Sequence, residues 1–265
     1  MDYPAVLSLM YRSRFFEEKV EEAGKQNLIH GTYHLSIGQE ACHIGLTSAI
    51  TADDWIVPTH RCHGYNIGRG SDLFRMFSEM LGSRHGLCMG IGGSMHMTDA
   101  STSNFGSSAV VGSGISLAGG IAYALKEQDK AAIAAAIFGD GASSRGTLHE
   151  MMNMASVFGL PLLFFLENNH YGMSASSGRM ISTDSIWKRA DGYSMKSVSV
   201  DGNDVIAVHD AVAAAREYIL SEGKPFFIEA DTYRMRGHSK SDKCIYRTRE
   251  EETEWKHKDP IDYFI

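Results

Sequence analysis

Apolar residues recur at helical spacing from the start of the chain. Leu7, Met10, Phe15 and Val20 follow Pro4, whose fixed φ suits a first helical turn, and the run stops at Gly24. Residues 36–50 read as a second helix. From Gly82 to Gly120 the periodicity breaks into glycine loops, and Leu117–Leu125 then reads as a small-residue helix that packs closely. Beyond it, two kinds of segment alternate. Ala131–Phe138 is a short apolar run ending in Gly139-Asp140-Gly141, Leu148–Phe158 is helical, and Pro161–Leu166 is a second apolar run ending in Glu167-Asn168-Asn169. Ser197–Val200, a helix over 204–221 and Pro225–Tyr233 repeat the theme. Strands spaced by crossover helices predict a three-layer α/β/α fold with a mostly parallel sheet. The tail after Lys240 is polar and charged and reads as an ordered loop or surface segment.

Two residues stand where such a fold does chemistry. Asp140 and Asn169 each lie just past the carboxyl end of an apolar run, with one crossover helix between them. A right-handed crossover sets the two strands near each other with both carboxyl ends at one sheet edge, the edge where open α/β sheets bind ligands. A carboxylate and an amide oxygen form a hard oxygen set suited to Mg²⁺, whose remaining positions diphosphate oxygens and water would fill. Gly139 and Gly141 let backbone N–H groups approach phosphate, and the helix that follows points its positive end at the anion. Gly139-Asp140-Gly141 alone is as often a plain turn as a ligand site. The Asn pair at the matching strand end tips the reading toward metal and diphosphate.

Composition narrows the partners. With 32 acidic against 25 basic residues the net charge is −7, which leaves no electrostatic footprint for nucleic acid. No apolar run is long enough for a membrane span. Met1-Asp2-Tyr3-Pro4 resembles neither a signal peptide nor a transit segment, and Cys42, Cys62, Cys88 and Cys244 show no CxxC spacing, so a reduced, cytoplasmic setting is expected. The 14 methionines, Met151, Met152 and Met154 among them, read as core or interface filler, since no paired metal-ligand spacing accompanies them.

The surroundings of these motifs match one known family in detail. His34-Leu35-Ser36-Ile37-Gly38-Gln39-Glu40-Ala41, Arg61-Cys62-His63-Gly64, Gly92-Gly93-Ser94-Met95-His96 and Asn168-Asn169-His170-Tyr171-Gly172-Met173 all resemble the E1 α subunits of thiamine-diphosphate-dependent pyruvate, branched-chain and acetoin dehydrogenases. So do Asp201-Gly202-Asn203-Asp204-Val205 and the segment from Tyr233 through Arg236-Gly237-His238-Ser239 to Tyr246-Arg247-Thr248. The resemblance implies a thiamine-diphosphate-binding fold and two cofactors, thiamine diphosphate and Mg²⁺. Asp140 and Asn169 would ligate the metal by side chain and Tyr171 by its carbonyl. Gly141 and Ala142 would offer N–H groups to the diphosphate, and Arg61 would clamp one of its oxygens. Ala109 and Val111 would contact the aminopyrimidine, and Met173 would pack near the thiazolium. His63 and His238 would lie near the reactive carbon or the diphosphate, with His34 further out toward substrate; all three are candidate catalytic residues. His96 is expected to be structural.

Two departures accompany the match. Where the family usually has Tyr-Arg-x-His, this chain has His60-Arg61-Cys62-His63, so an imidazole replaces a phenol that would bond the diphosphate. The chain also stops shortly after Asp259-Pro260-Ile261, where relatives run on through further helix. The expectation is one E1 α-type domain over 1–265 without the C-terminal part of the usual length.

As implied partners, a β-type E1 subunit would complete the active site in an α₂β₂ assembly, a lipoyl-bearing E2 acyltransferase would take the acyl unit, and the substrate is a small molecule. The glycine- and Met-rich stretches 87–97 and 151–155 are the expected subunit interface. Acetoin ranks before pyruvate and branched-chain 2-oxo acids, because Arg236 to Asp242 resembles the acetoin branch more closely. Two other readings compete: a non-catalytic scaffold subunit, and a nicotinamide-dependent oxidoreductase suggested by the glycine turn Gly112-Ser113-Gly114 ahead of Ala118.

Overall fold

The structure, a computed structural model, describes all 265 residues. Helix α1 (Tyr3–Lys25) starts where Asp2 accepts from the Ala5 N–H at 3.1 Å, with Pro4 in the first turn. Helix α2 (Glu40–Ala49) begins later than residue 36, because Ser36–Gln39 close a turn whose Gly38 has φ +99°. Ser36 there gives its N–H and hydroxyl to Glu17 instead of continuing a helix. The short strand β1 (Trp55–Val57), α3 (His63–Gly68) and α4 (Leu73–Met80) follow, and α5 (Ser113–Glu127) then leads to β2 (Ala134–Gly139). Next come α6 (Gly146–Phe158), β3 (Leu162–Asn168), a small hairpin of β4 (Tyr171–Gly172) and β5 (Ala175–Ser176), and α7 (Ser177–Met180). The chain continues through β6 (Lys196–Asp201), α8 (Val205–Glu222), β7 (Phe226–Asp231), α9 (Arg249–Lys256) and α10 (Pro260–Phe264).

Five strands form one sheet in the order β1-β2-β3-β7-β6, every pair parallel. The expected three-layer α/β/α architecture is what the chain adopts. Strands β2 and β3 are unbroken apolar runs because both of their faces are covered. Ala134, Ala136, Phe138, Leu162 and Phe164 pack toward α5 and α6 with Ile115, Leu148 and Met152. Ala135, Ile137, Leu163 and Phe165 pack on the other face with Leu46 of α2 and Val208 and Val212 of α8. A separate cluster ties α1 to α3 and α4 through Phe16, Val20, Ile67, Met76 and Met80.

The tail after Lys240, expected as an ordered loop or surface segment, includes a surface helix. Helix α9 buries none of its residues, so no apolar period marks it; Thr248 caps it, accepting from the Glu251 N–H at 3.1 Å, and Glu250 and Glu251 sit in its first turn. Asp259 and Pro260 start α10 in the same way. No helix is long and apolar enough to cross a membrane.

Candidate functional site

The register that sets Gly139 beside Glu167 brings Asp140 and Asn169 to the carboxyl ends of two adjacent strands. After β2 the chain makes a 3₁₀ turn, Asp140–Ser144, before α6 starts at Gly146, so the turn and not the helix proper faces the cleft beyond Asp140. The hairpin β4–β5 lies against that turn. A Cβ on Gly141 would stand 3.3 Å from the Cα of Gly172, so the two backbones approach closely there. On the far wall Gly112, with φ +85°, turns the chain into α5. No sheet strand runs directly into it, since α3 and α4 separate it from β1, which removes the first strand that a nicotinamide-binding reading needs.

Between these elements opens a cleft of about 290 Å³. Its wall includes His60, Arg61, Val111, Asp140, Gly141, Ala142, Asn169, Tyr171, Met173 and His238, ten of the residues singled out from the sequence. Ala109 does not line it, although its neighbours Ser108 and Val110 do. His63 does not reach it either. Its ring is fully buried behind Arg61, with Nδ1 2.9 Å from Glu17 Oε2 and Nε2 3.1 Å from Ser94 Oγ. His34 is buried and stands edge-on to two cleft rings, 4.6 Å from His60 and 5.0 Å from His238 between centroids.

The charges of this cleft lack partners on both sides. Asp140 is 2% exposed and pairs with no cation, and burial pushes its carboxyl up to about 6 against the pull of His170. Arg61 and Arg234 are buried just as deeply, at 3% and 1%, and neither meets a carboxylate. Burial first, then the neighbouring Arg234 charge for Arg61 and the Arg247 charge for Arg234, hold both below the usual arginine range. Arg61 spends its planar fork on two backbone carbonyls, Leu35 at 2.6 Å and His238 at 2.7 Å. A bidentate grip on an external oxygen is therefore not free; the N–H groups beyond those and the one that faces His238 Nδ1 are. Arg234, given no role from the sequence, donates to Tyr246 Oη at 2.8 Å, Arg236 O at 3.0 Å and Met173 O at 3.2 Å. Its place in Tyr233-Arg234-Met235-Arg236, directly after β7, was the one signal available.

His34, His60 and His238 form a cluster of neutral rings. Burial first, and the Arg61 charge second, lower them to about 3, 2 and 4. Arg61 and Arg234 approach His238 Nδ1 at 3.3 and 3.4 Å. A guanidinium only donates, so Nδ1 accepts and the ring proton sits on Nε2. His34 Nδ1 and His60 Nε2 are buried without a partner. The three donor atoms all lie within 4.8 Å of one another. With Nδ1 of His238 already facing two guanidiniums, a metal ion there would add a third positive charge, whereas a hydroxyl or carbonyl oxygen would add none.

The family described as "Dehydrogenase E1 component" matches residues 8–265. The α subunit of acetoin:2,6-dichlorophenolindophenol oxidoreductase from Bacillus subtilis is 40% identical over 245 residues, which is 92% of this chain and 74% of that one. The mitochondrial pyruvate dehydrogenase E1 component subunit alpha-1 of Arabidopsis thaliana is 40% identical over 252 residues, 95% of this chain and 63% of that one. The human somatic mitochondrial pyruvate dehydrogenase E1 subunit alpha is 38% identical over 255 residues, 96% of this chain and 64% of that one. This chain thus spans about three quarters of the Bacillus relative and under two thirds of these two mitochondrial ones. With the match covering almost its whole length, the chain belongs to the dehydrogenase E1 component family, as an α-type subunit.

Proposed function

We propose that the chain is the α-type subunit of a thiamine-diphosphate- and Mg²⁺-dependent E1 oxidoreductase that acts on acetoin or a 2-oxo acid. One observation carries the reading: a buried carboxylate without a cation and two buried guanidiniums without an anion face the same cleft. A metal–diphosphate pair supplies both missing partners. Asp140 and Asn169 would hold Mg²⁺ with their side chains and Tyr171 with its carbonyl. The Gly141 and Ala142 N–H groups, His60 and the free N–H groups of Arg61 would meet the diphosphate. Val111 and the backbone at Ala109 would flank the aminopyrimidine, and Met173 the thiazolium. Bound there, the cofactor supplies a nucleophilic carbon for addition to a carbonyl.

The chain's own residues then act on the substrate oxygen. His238 offers Nε2–H to the oxygen that gains charge, and the neutral ring of His34 accepts from or donates to a hydroxyl beside it. His63, wired to Glu17 and Ser94, supports this wall from behind. An uncharged imidazole wall favours a neutral hydroxyketone, which puts acetoin first, then pyruvate, then branched-chain 2-oxo acids. The name of the Bacillus relative points the same way.

The cofactor also needs a carboxylate at its pyrimidine, and this cleft does not offer one. Asp140 is the only acid on its wall, and Glu40 is held by Arg14 at 2.6 Å and by the Gly38 N–H at 2.9 Å. A β-type subunit would supply it, in an α₂β₂ assembly that passes the acyl unit to a lipoyl-bearing E2 acyltransferase. Four unpaired cysteines accord with a reducing cytoplasm. The test is turnover of acetoin, pyruvate and a branched-chain 2-oxo acid with an artificial electron acceptor, with and without the β-type subunit. Turnover only with the partner, acetoin leading, is expected. Full turnover by the lone chain, or a preference of more than about tenfold for branched-chain acids, overturns the reading.

A further inference from the structure

One carboxylate outside the cleft joins two of the segments that build it. Glu17 lies on α1 and is fully buried. Its Oε1 accepts from the Ser36 N–H at 3.0 Å and from the Ser36 hydroxyl, and its Oε2 stands 2.9 Å from His63 Nδ1. Burial alone would push its carboxyl up, but the facing His63 ring and the two Ser36 donors outweigh burial and hold it below the ordinary carboxylate value. An ionised carboxylate only accepts, so His63 Nδ1 carries the proton of that bond. Each oxygen therefore serves one segment: Oε1 the stretch that carries His34, Oε2 the stretch that carries His60 and Arg61.

The two stretches meet in the cleft wall. Arg61 donates to the Leu35 carbonyl at 2.6 Å, and the His34 and His60 rings stand edge-on with centroids 4.6 Å apart. Two backbone ties of the His34 stretch lead to the loop after β7: the Ile37 carbonyl accepts from Met235 at 2.9 Å and the Tyr33 carbonyl from Lys240 at 3.2 Å. Glu17 ties the same stretch to α1. His34 Nδ1 has no partner of its own, so its ring takes its place from the backbone and from the rings beside it. A buried carboxylate is a costly way to hold loops together, since apolar contacts of the same volume often give more stability. What it adds is direction, and a shift of about 1 Å in a catalytic wall can cost about 10²-fold in rate.

We propose that Glu17 is a positioning residue for turnover. From α1, and outside the cleft lining, it sets the His34 stretch against the stretch of His60 and Arg61 and so fixes where the His34 ring meets a substrate hydroxyl. The inference rests on the E1 reading given above, in which His34 faces the substrate.

Three variants of the full chain, assembled with its β-type subunit, separate placement from charge. Glu17→Gln keeps the length: its Oε1 can accept from both Ser36 donors and its amide can donate to His63 Nδ1, which moves the ring proton to Nε2. Turnover should stay within about threefold of wild type, while NMR of the chain shows His63 in the other tautomer. Glu17→Asp keeps the charge but is one carbon shorter and cannot span both stretches. In that variant turnover should fall about 10- to 100-fold, the Ser36 amide should exchange faster, and thiamine diphosphate affinity should stay within about threefold, because no residue facing the diphosphate is altered. Ser36→Ala removes one donor and should cost about 3- to 10-fold in turnover, which keeps the test standing if Glu17→Asp fails to fold. Wild-type turnover in both Glu17→Asp and Ser36→Ala overturns the positioning role alone. So does a loss in Glu17→Gln equal to that in Glu17→Asp, which would make the charge decisive and not the placement. A wild-type assembly that turns over neither acetoin nor a 2-oxo acid overturns the E1 reading, and this inference with it.

Discussion

Arg61 and His238 lie 177 positions apart, and the Arg61 guanidinium donates both to the His238 carbonyl, at 2.7 Å, and to its Nδ1, at 3.3 Å. That contact fixes the loop after β7 against the loop after β1 and leaves the His238 proton on Nε2. His238→Ala removes the donor and leaves untouched the residues proposed to hold the metal and the diphosphate. Turnover of the assembled enzyme should fall by about 10²- to 10⁴-fold with cofactor affinity nearly unchanged, as rate and binding measured on the same preparation will show. An unchanged rate would make the residue structural.

The imidazole cluster also sets a pH dependence. His34, His60 and His238 all titrate in the folded chain well below the ordinary value of 6.5. The unfolded chain therefore binds protons first as pH falls below about 6.5, and stability drops with it toward pH 4. NMR of the ring nitrogens should show all three neutral at pH 5. His60→Tyr, which removes one of the three groups, should flatten the acid limb of a plot of melting temperature against pH; an unaltered limb would mean the cluster does not govern it.

Arg247 holds the segment that carries His238. Its guanidinium lies 4.7 Å from the ring centroids of both Tyr171 and Tyr233 and donates to the carbonyls of Arg234, at 2.7 Å, and Arg236, at 3.3 Å. Lysine can neither stack nor fork in this way. Arg247→Lys should cost about 2–3 kcal/mol and open residues 236–246 to protease, with turnover down at least about tenfold. Cleavage at the wild-type rate would show that the loop is held by other contacts.

Asp140 makes a prediction of opposite sign from most carboxylates. Its folded value of about 6 lies above the ordinary 3.8, so the folded state favours the protonated form. The stability this gives is fully present below pH 3.8 and is lost as pH rises through 6. In metal-free chain Asp140→Asn should thus be more stable than wild type at pH 7.5, by at most about 3 kcal/mol, and equal to it near pH 4. A difference that does not change with pH would show that Asp140 is not a desolvated, unpaired charge.

Much of this was legible in the sequence, and the exceptions have physical reasons. The apolar runs ending in Asp140 and Asn169 showed the parallel pair and the edge that carries the cleft, because strands covered on both faces read as unbroken hydrophobic stretches. Strand β1, three residues long, leaves no period to detect. Helix α9 is set by Thr248 and its first-turn acids, not by a buried face. His63 matched a motif beside cleft residues, yet its role depends on Glu17, a residue of α1 whose burial only the packed structure reveals. Glu79, buried on α4 and accepting from the N–H groups of Cys88, Gly90, Gly92 and Gly93, was invisible for a similar reason. The glycines of 82–98 announced close backbone approach, but nothing in their spacing said what they approach.

The most direct test is calorimetric titration of thiamine diphosphate into the chain reconstituted with its β-type subunit, in Mg²⁺ and in EDTA, for wild type and Asp140→Asn. Wild type should bind in Mg²⁺ and lose at least about 1.4 kcal/mol of affinity, a factor of ten, in EDTA; Asp140→Asn should bind weakly in both, with no difference between them. Wild-type binding that is indifferent to the metal, or unimpaired binding by Asp140→Asn, would contradict the assignment of the cleft.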